Sequence, residues 1–334
     1  VKPFIIPFFL RMEGCLRRCA YCRQEIAQEE IITEASQISQ LLKISLACRP
    51  MGRPCEAAFF GGSFTALPPE RRQELYESVQ PFLTDGSIDY IRVSTRPDMI
   101  DRDIALELFE NGIRVVELGV QSLNEDVLEL VQRGHDTECP FTATRILKEA
   151  GIQVGWQLMQ GLPGSSVTED LKSLRSSLEA HPDFLRLFPC VVLDKTPLAD
   201  MWRNGKYQPL ELEAAVDLLA SMLDTCDSAA VPVIRVGLHP SPALRPEVLA
   251  GPFHPAFRHL VESRRRLRIL EALFKNEEFS EKSISLEIKT GTQSLWRGMA
   301  NSNTLELMKR FKISELHFIE SEKPGIMEAS LRKD

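Results

Sequence analysis

Long apolar runs are missing from this 334-residue chain. No stretch approaches the ~18 consecutive apolar residues that a membrane span requires, so no membrane association is expected. The apolar opening Val1-Lys-Pro-Phe-Ile-Ile-Pro-Phe-Phe-Leu10 is short, broken by two prolines and followed by no small-residue cleavage site. With Lys2 as its one basic residue it makes a poor secretory leader, and it reads instead as a first strand running into a loop. An excess of basic charge is lacking too: 40 Lys and Arg stand against 47 Asp and Glu, a net −7. That argues against a surface basic all over, though not against a local nucleic-acid patch, because distribution matters more than the sum. There is no low-complexity tract, and no repeat beyond an alternation of strands and helices. With 43% hydrophobic and 26% charged residues, the composition is that of an ordinary globular protein. The length suits one large α/β domain plus an extension.

Cysteine, by contrast, is unevenly spread. Three of the eight fall in Glu13-Gly-Cys-Leu-Arg-Arg-Cys-Ala-Tyr-Cys-Arg-Gln24, spaced C-x3-C-x2-C at Cys15, Cys19 and Cys22, with Gly14 before them and Tyr21 ahead of the last. Three such thiols can converge on one soft metal centre and leave a fourth position open. Structural zinc is normally closed by four ligands. An iron–sulfur cluster held by thiolates can keep one iron open for chemistry. From the spacing alone, a zinc knuckle whose fourth ligand lies elsewhere stays an alternative, as does a non-catalytic iron–sulfur carrier or sensor. Metal-type spacing in a chain large enough to build its own core points to a reducing, cytoplasmic setting rather than a disulfide scaffold. Cys48, Cys55, Cys139, Cys190 and Cys226 are scattered and offer no set for a second cluster. Cys190 lies in an apolar run and reads as core.

Periodicity organises the rest. A helical pattern over Ile32–Leu46 precedes a buried strand Cys55–Phe60 that ends in Gly61-Gly62-Ser63. Helix Pro68–Val79, strand Ile88–Val93 and helix Arg102–Asn111 follow, the last stopping at Gly112. The unit repeats as strand Val115–Val120, helices Glu125–Gln132 and Ala143–Ala150, strand Gln153–Leu158, helix Val167–Glu179 and strand Phe184–Val192. Six strands alternating with helices predict parallel βα units with right-handed crossovers. Completed by Val192, they fall short of the ~250 residues of an eight-fold barrel. The expected fold is therefore α/β, an open parallel (β/α)6 three-quarter barrel spanning 1–240, with a small α+β extension over 241–334. Ligands of such folds bind at the carboxyl ends of the strands. Cys15–Cys22, Gly61–Ser63, Ser94–Asp98, Gln121-Ser122 and Gln157–Gly164 all fall there. Beyond Leu193 the pattern predicts a polar turn at Trp202–Tyr207, helix Glu211–Cys226, a last short strand Val231–Val236 and an irregular Pro-rich piece to Pro255. A basic helix Phe257–Phe274, strands Ile284–Ile288 and Glu315–Ile319 around helix Asn303–Phe311, and a frayed last dozen residues complete it. The arginines of Phe257–Phe274 could meet phosphate, but no aromatic residues interleave with them and Glu262 and Glu271 dilute them, so a solvated face is expected.

C-x3-C-x-aromatic-C close to the N-terminus resembles the signature of the radical S-adenosylmethionine (SAM) enzymes. The resemblance implies the (β/α)6 fold, a [4Fe–4S] cluster on Cys15, Cys19 and Cys22, SAM chelated to its unique iron, and an external one-electron donor such as flavodoxin or ferredoxin. Gly61-Gly62-Ser63 is similar to the family's motif for the SAM amino group, where a backbone without side chains lets carbonyls approach an ammonium. Gly-Val-Gln121-Ser and Arg133-Gly-His resemble elements of the coproporphyrinogen-dehydrogenase-like and Elongator-catalytic-subunit-like branches, in which the Gln and Arg contact SAM. A guanidinium can pair with the SAM carboxylate bidentately, and a carboxamide can bond its ribose or amino-acid group. Glu117 stands out because parallel strands are usually apolar. Tyr21, Ser94, Arg96 and Gln157 complete the expected cofactor-binding set, and the catalytic residues are not identified. The coproporphyrinogen branch carries acidic residues where this chain has Ser94-Thr95-Arg96 and Gln157. Ser94-Thr-Arg-Pro-Asp98 and Trp202-Arg-Asn-Gly-Lys-Tyr207 match the Elongator-like branch instead. The residues after Pro240 are too few for that subunit's acetyltransferase domain as well, so only the radical-domain chemistry is expected, on an unidentified substrate. An RNA substrate is the further alternative.

Overall fold

The computed structural model describes residues 2–10, 12–15, 18–23, 34–275, 277, 279, 283–322 and 329–331. Contacts divide the chain into two compact units, residues 1–211 with 226–253 and residues 212–225 with 254–334.

The first unit is built on seven parallel strands: β1 (Phe4–Phe9), β2 (Cys55–Phe60), β3 (Tyr90–Thr95), β4 (Ile113–Gln121), β5 (Gln153–Gln160), β6 (Phe184–Pro189) and a late strand, Val233–Val236. They lie side by side in sequence order, with β1 at one edge and Val233–Val236 at the other. Residues of both edge strands, Pro7 and Arg235 among them, line the same cavity, so the sheet is curled. The two edges do not pair, and the barrel stays open. Helices α1 (Ala35–Leu46), α2 (Pro69–Thr84), α3 (Arg102–Glu110), α4 (Glu125–Leu130), α5 (Cys139–Glu149) and α6 (Val167–Glu179) connect the first six strands. Local chemistry sets their ends. The side chains of Asp101, Asn124 and Ser166 accept from Ile104 N, Val127 N and Glu169 N, caps worth about 1 kcal/mol each. Gly112 and Gly151, both at positive φ, release the chain after α3 and α5.

Side chains of a strand alternate between two faces. One face of the sheet is an apolar layer: Ala57, Phe59, Ile91, Val93, Val116, Leu118, Val154, Trp156, Leu185 and Leu187 are all buried, as are Ile38, Leu42, Leu75, Val79, Leu108, Leu147 and Leu174 of the helices. The other face, the barrel lumen, is not apolar. Arg92 on β3 pairs with Glu56 on β2 at 2.9 Å and with Glu117 on β4 at 2.9 Å. Glu117 also receives Arg186 from β6. The carboxylates are 0% and 4% exposed, so their charge is tolerable only because guanidinia meet it. Phe184 closes this layer against Gly155, where a Cβ would come within 2.0 Å of the ring.

After β6 the chain forms β7 (Val192–Leu193), α7 (Pro197–Arg203), α8 (Leu212–Ser228), β8 (Val233–Val236) and β9 (Val248–Ala250). β9 pairs antiparallel with β7, so the Pro-rich piece carries a strand. Trp202 lies in α7 rather than in the expected turn, because Thr196 accepts from Ala199 N and Pro197 opens the helix. α2 also runs past Val79, with Pro81 inside it, and buries Phe82. Residues 32–33 of the first expected helix lie outside the described residues.

The second unit holds most of α8, α9 (Phe257–Phe274), α10 (Gln293–Arg297), α11 (Ser302–Phe311) and a sheet of β10 (Ser283–Lys289) between parallel β11 (Glu315–Ser321) and antiparallel β12 (Ala329–Leu331). Its core joins Leu267, Leu270, Phe274, Leu286, Trp296, Leu307 and Phe318. Within the last dozen residues, 329–331 form a paired strand rather than a frayed end, and the remainder lies outside the described residues. The arginines of α9 meet carboxylates: Arg264 and Arg268 bond Asp217 at 2.6 and 2.8 Å, Arg265 bonds Asp224 at 2.7 Å, and Arg266 bonds Glu262 at 3.1 Å. Among the described residues, no helix is long and apolar enough to cross a membrane.

Removing the shared cation of the lumen should be severe. Arg92→Met leaves Glu56 without its guanidinium, and urea denaturation is expected to show a loss of about 3–5 kcal/mol. Glu56→Gln in the same chain should recover part of it. A loss below about 1 kcal/mol would show that the buried pair does not hold the sheet.

Candidate cofactor site at the carboxyl ends of the strands

The cysteine segment is clamped by main-chain contacts on both sides. Pairing with the second strand continues past β1: Leu10 N donates to Phe60 O at 2.7 Å, Met12 N to Gly61 O at 2.8 Å, and Ser63 N to Glu13 O at 2.9 Å. The two loops approach so closely that a Cβ on Gly62 would lie 2.3 Å from Glu13 O, and one on Gly14 would lie 2.2 Å from Ser63 O. Gly14 also has φ +75°, which disfavours any side chain. Further along, Ala20 N donates to Val131 O at 3.0 Å and Leu198 N to Ala20 O at 2.9 Å. Ala20 and Tyr21 pack with Val127, Leu162, Leu198 and Tyr207. Arg23 donates to Asp194 O and to Glu247, both at 2.7 Å.

This clamping places Cys15, Cys19 and Cys22 on one cavity of about 640 Å³, together with Tyr21, Gly61, Gly62, Ser94, Arg96, Glu117, Gln121, Arg133 and Gln157. Ser63 is the expected residue that does not line it. Its hydroxyl bonds Thr95 Oγ1 at 3.0 Å and accepts from Arg96 N at 3.3 Å, and both of these residues line the cavity. Arg96 forms a two-point pair with Asp98 at 2.9 and 2.7 Å.

Arg133 and Gln121 owe their positions to strained backbone. Gln121 ends β4 at φ +72°, beside an irregularity in the β4–β5 register, and its Oε1 accepts from Gln157 Nε2 at 3.2 Å. Arg133 stands between Gln132 at φ +56° and Gly134 at φ +80°, a tight turn that returns the side chain over β4. Its Nε donates to Gly119 O at 3.1 Å, and its Nη1 lies 3.5 Å from Cys19 Sγ. A Cβ on Gly119 would come within 2.8 Å of this guanidinium. Positive φ at non-glycine residues is costly, and it clusters where a site demands it.

Burial pushes the Cys15 thiol up, while Arg133 and Arg96 pull it down. A metal ligates the thiolate, so these cations favour the ligating form. Three thiols bonded to one zinc must sit within about 4 Å of one another, given Zn–S bonds of ~2.3 Å. Among the described residues, no three His, Cys, Asp or Glu side chains could hold a single metal ion. The three cysteines border a shared cavity, and these thiols would hold a thiolate-ligated iron–sulfur cluster there.

Several lining residues escaped the sequence reading: Phe60, Arg186, Phe188, Arg235 and His239. A signal was available for the arginines. The rule that singled out Glu117, a charge on a parallel strand, applies equally to Glu56, Arg92, Arg186 and Arg235. The turn after β5 rests on another buried carboxylate. Asp170 accepts from Gly161 N at 2.8 Å and from Ser165 Oγ at 2.6 Å. Burial pushes it up to about 6.

Residues 9–175 match the Radical SAM superfamily and residues 182–268 the Radical_SAM C-terminal domain. The chain belongs to the radical SAM superfamily, whose cofactors are a [4Fe–4S] cluster and SAM. Within it, the chain falls in the Elongator-catalytic-subunit-like branch. It is similar to a tRNA uridine(34) acetyltransferase of Methanocaldococcus infernus, 35% identical over 131 residues, covering 38% of this chain and 24% of that protein. It is also similar to the Elongator complex protein 3 of Saccharomyces cerevisiae, 30% identical over 189 residues, covering 50% and 34%. The matches thus span between a quarter and about a third of these relatives. An N-terminally shortened archaeal Elp3 of Methanocaldococcus infernus shares the fold, with TM-score 0.63 and 22% identity over 84% of this chain and 67% of that one.

The close backbone approach predicts that Gly62→Ala separates the two loops. Iron bound after anaerobic reconstitution should fall several-fold relative to the parent, and an unchanged iron content would refute the clamp. For Asp170, the folded chain holds the proton up to about pH 6 while the unfolded chain releases it near 3.8. Its contribution to stability is therefore greatest below pH 4 and is lost as pH rises through 6. The difference in unfolding free energy between the parent and Asp170→Asn should change by up to roughly 3 kcal/mol across that window. A difference that stays flat with pH would place the carboxyl in an ordinary environment.

Proposed function

We propose that this radical SAM enzyme uses the cavity bordered by Cys15, Cys19 and Cys22 to act on a substrate by hydrogen-atom abstraction. The observation that carries this reading is convergence: three thiols, Gly61-Gly62, Gln121, Arg133 and Gln157 line a single cavity, although they come from separate βα units. A carrier or sensor needs the thiols but has no use for the other groups. The three sulfurs would hold the cluster. Arg133, whose guanidinium reaches both Gly119 O and Cys19, would pair with the SAM carboxylate. The Gly61-Gly62 backbone offers carbonyls to its ammonium, and the Gln121–Gln157 pair offers carboxamides to its ribose. When bound, the cluster and SAM supply a 5′-deoxyadenosyl radical, with methionine as the second product, using an electron from an external donor such as flavodoxin or ferredoxin. The protein's part is orientation and the exclusion of water. An adjoining cavity of about 200 Å³ shares Tyr21, Cys22, Gln157, Phe188 and His239 and is walled by Met159, Val191, Leu193, Leu238 and Leu244. It extends the site with a largely apolar chamber suited to substrate.

RNA as the substrate is the second reading, and what favours it is the tRNA uridine(34) acetyltransferases among the relatives. The arginines of α9 do not add to it, because Arg264, Arg265, Arg266 and Arg268 are engaged by carboxylates. Saturable, salt-dependent retention of tRNA in filter binding would support it.

Cys15→Ala, Cys19→Ala and Cys22→Ala should each abolish the brown chromophore and the dithionite-driven formation of 5′-deoxyadenosine from SAM. In the parent, the EPR signal of the reduced cluster should change on adding SAM. Full deoxyadenosine production by any of the three variants, or a signal indifferent to SAM, would sink the enzymatic reading.

A further inference from the structure

Cys19 differs from the other two thiols of the set. It is 5% exposed, whereas Cys15 and Cys22 are half-buried. Two side-chain donors converge on its sulfur. One is Arg133, whose Nη1 lies 3.5 Å from Cys19 Sγ. The other is Tyr21, whose hydroxyl stands beside the same thiol. That hydroxyl is buried and has no hydrogen-bond partner. Buried polar atoms in folded proteins are almost always bonded, so an orphan calls for an explanation. The Tyr21 ring packs against Val127, Leu162 and Leu198, whose side chains offer its hydroxyl no acceptor. The backbone around the ring is fixed as well. Ala20 N donates to Val131 O, Leu198 N to Ala20 O, and Cys22 N to Cys19 O at 3.0 Å. A neutral thiol is a weak acceptor. A ligating cysteine is a thiolate, and a hydrogen bond to an ionised acceptor is the stronger kind. The missing acceptor is therefore supplied when Cys19 ligates.

We propose that the Tyr21 hydroxyl donates a hydrogen bond to the sulfur of Cys19 once that sulfur ligates the cluster, and that it thereby makes the cluster easier to reduce. Reduction adds one electron from the external donor, breaks no bond, and leaves the cluster and its thiolates one unit more negative. A donor aimed at a ligating sulfur stabilises that added charge, and hydrogen bonds to the sulfurs are among the factors that set a cluster's potential. The inference rests on reading Cys15, Cys19 and Cys22 as the cluster site and goes beyond it, because the thiol spacing asks nothing of the hydroxyl.

The test is an EPR-monitored redox titration of the full chain after anaerobic reconstitution, without SAM. In Tyr21→Phe, the ratio of reduced to oxidised cluster at the parent's midpoint should fall at least ~3-fold, a midpoint about 28 mV more negative at about 59 mV per tenfold. Tyr76→Phe, which removes a hydroxyl bonded to Glu107, should leave the midpoint unchanged. Resonance Raman adds a readout that packing alone does not move. Transfer of the parent to D2O should shift an Fe–S(Cys) stretching band, and the shift should shrink in Tyr21→Phe. If Tyr21→Phe takes up no cluster, Tyr21→3-fluorotyrosine decides: its more acidic phenol is a better donor and should move the midpoint to more positive potential. An unchanged midpoint in the variant that loads overturns the hydrogen bond. So does a more positive midpoint in Tyr21→Phe, which is what water entering the vacated space would give. Failure of the cluster reading itself is seen separately, in a parent that binds no iron.

Discussion

The chain of charges from Glu56 through Arg92 and Glu117 to Arg186 is the interaction on which the rest of the first unit depends. It ties β2, β3, β4 and β6 together on the concave side of a sheet whose other side is bound by ordinary apolar packing. An open barrel lined with apolar side chains would tend to collapse or to recruit another surface. A lumen lined with paired charges stays polar and roomy, and it supplies a fixed electrostatic environment to whatever enters. Its cost is desolvation of each ion. That cost is met because every carboxylate in the chain bonds at least one guanidinium, with further support from the Phe184 ring 5.3 Å from Arg92.

On this floor the site is assembled from chain ends and turns rather than from regular elements. The cysteine segment leaves β1 still paired to the Gly61-Gly62 turn, and then crosses to rest on Val131 and Leu198. Three elements distant in sequence therefore set the places of the three sulfurs. Arg133 reaches the same cavity by a two-sided backbone distortion at Gln132 and Gly134, and Gln121 by one at its own φ. At Gln121 and Gln132 the positive φ is unfavourable locally, whereas Gly134 adopts it freely. The two strained conformations persist because buried neighbours on every side overdetermine them, as is common where a ligand must be met at a fixed geometry.

Much of this was legible in the residues. Parallel βα alternation, the (β/α)6 sheet order and the gathering of glycine-rich and polar turns at one end follow from periodicities that each strand and helix carries within itself. The misreadings share a cause. A turn was expected around Trp202 because Arg-Asn-Gly-Lys looks polar, yet Thr196 and Pro197 start a helix just upstream. The arginines of α9 read as a solvated face, yet they pair with Asp217 and Asp224 on α8, about forty residues earlier, which no local pattern announces. Ser63 does not itself line the cavity, but its hydroxyl bonds Thr95, which does.

What the sequence by itself determined is the class of chemistry. Three thiols in C-x3-C-x2-C, a glycine pair one βα unit later, and a Gln and an Arg further on specify donor types, and those are properties of side chains in order along a chain. Only the tertiary structure decided which lumen charges neutralise one another. Arg92, Arg186 and Arg235 are the same residue type on three strands. Register, set by pairing between strands about thirty to fifty positions apart, is what buries Arg92 between Glu56 and Glu117, brings Arg186 to Glu117 and sets Arg235 beside it.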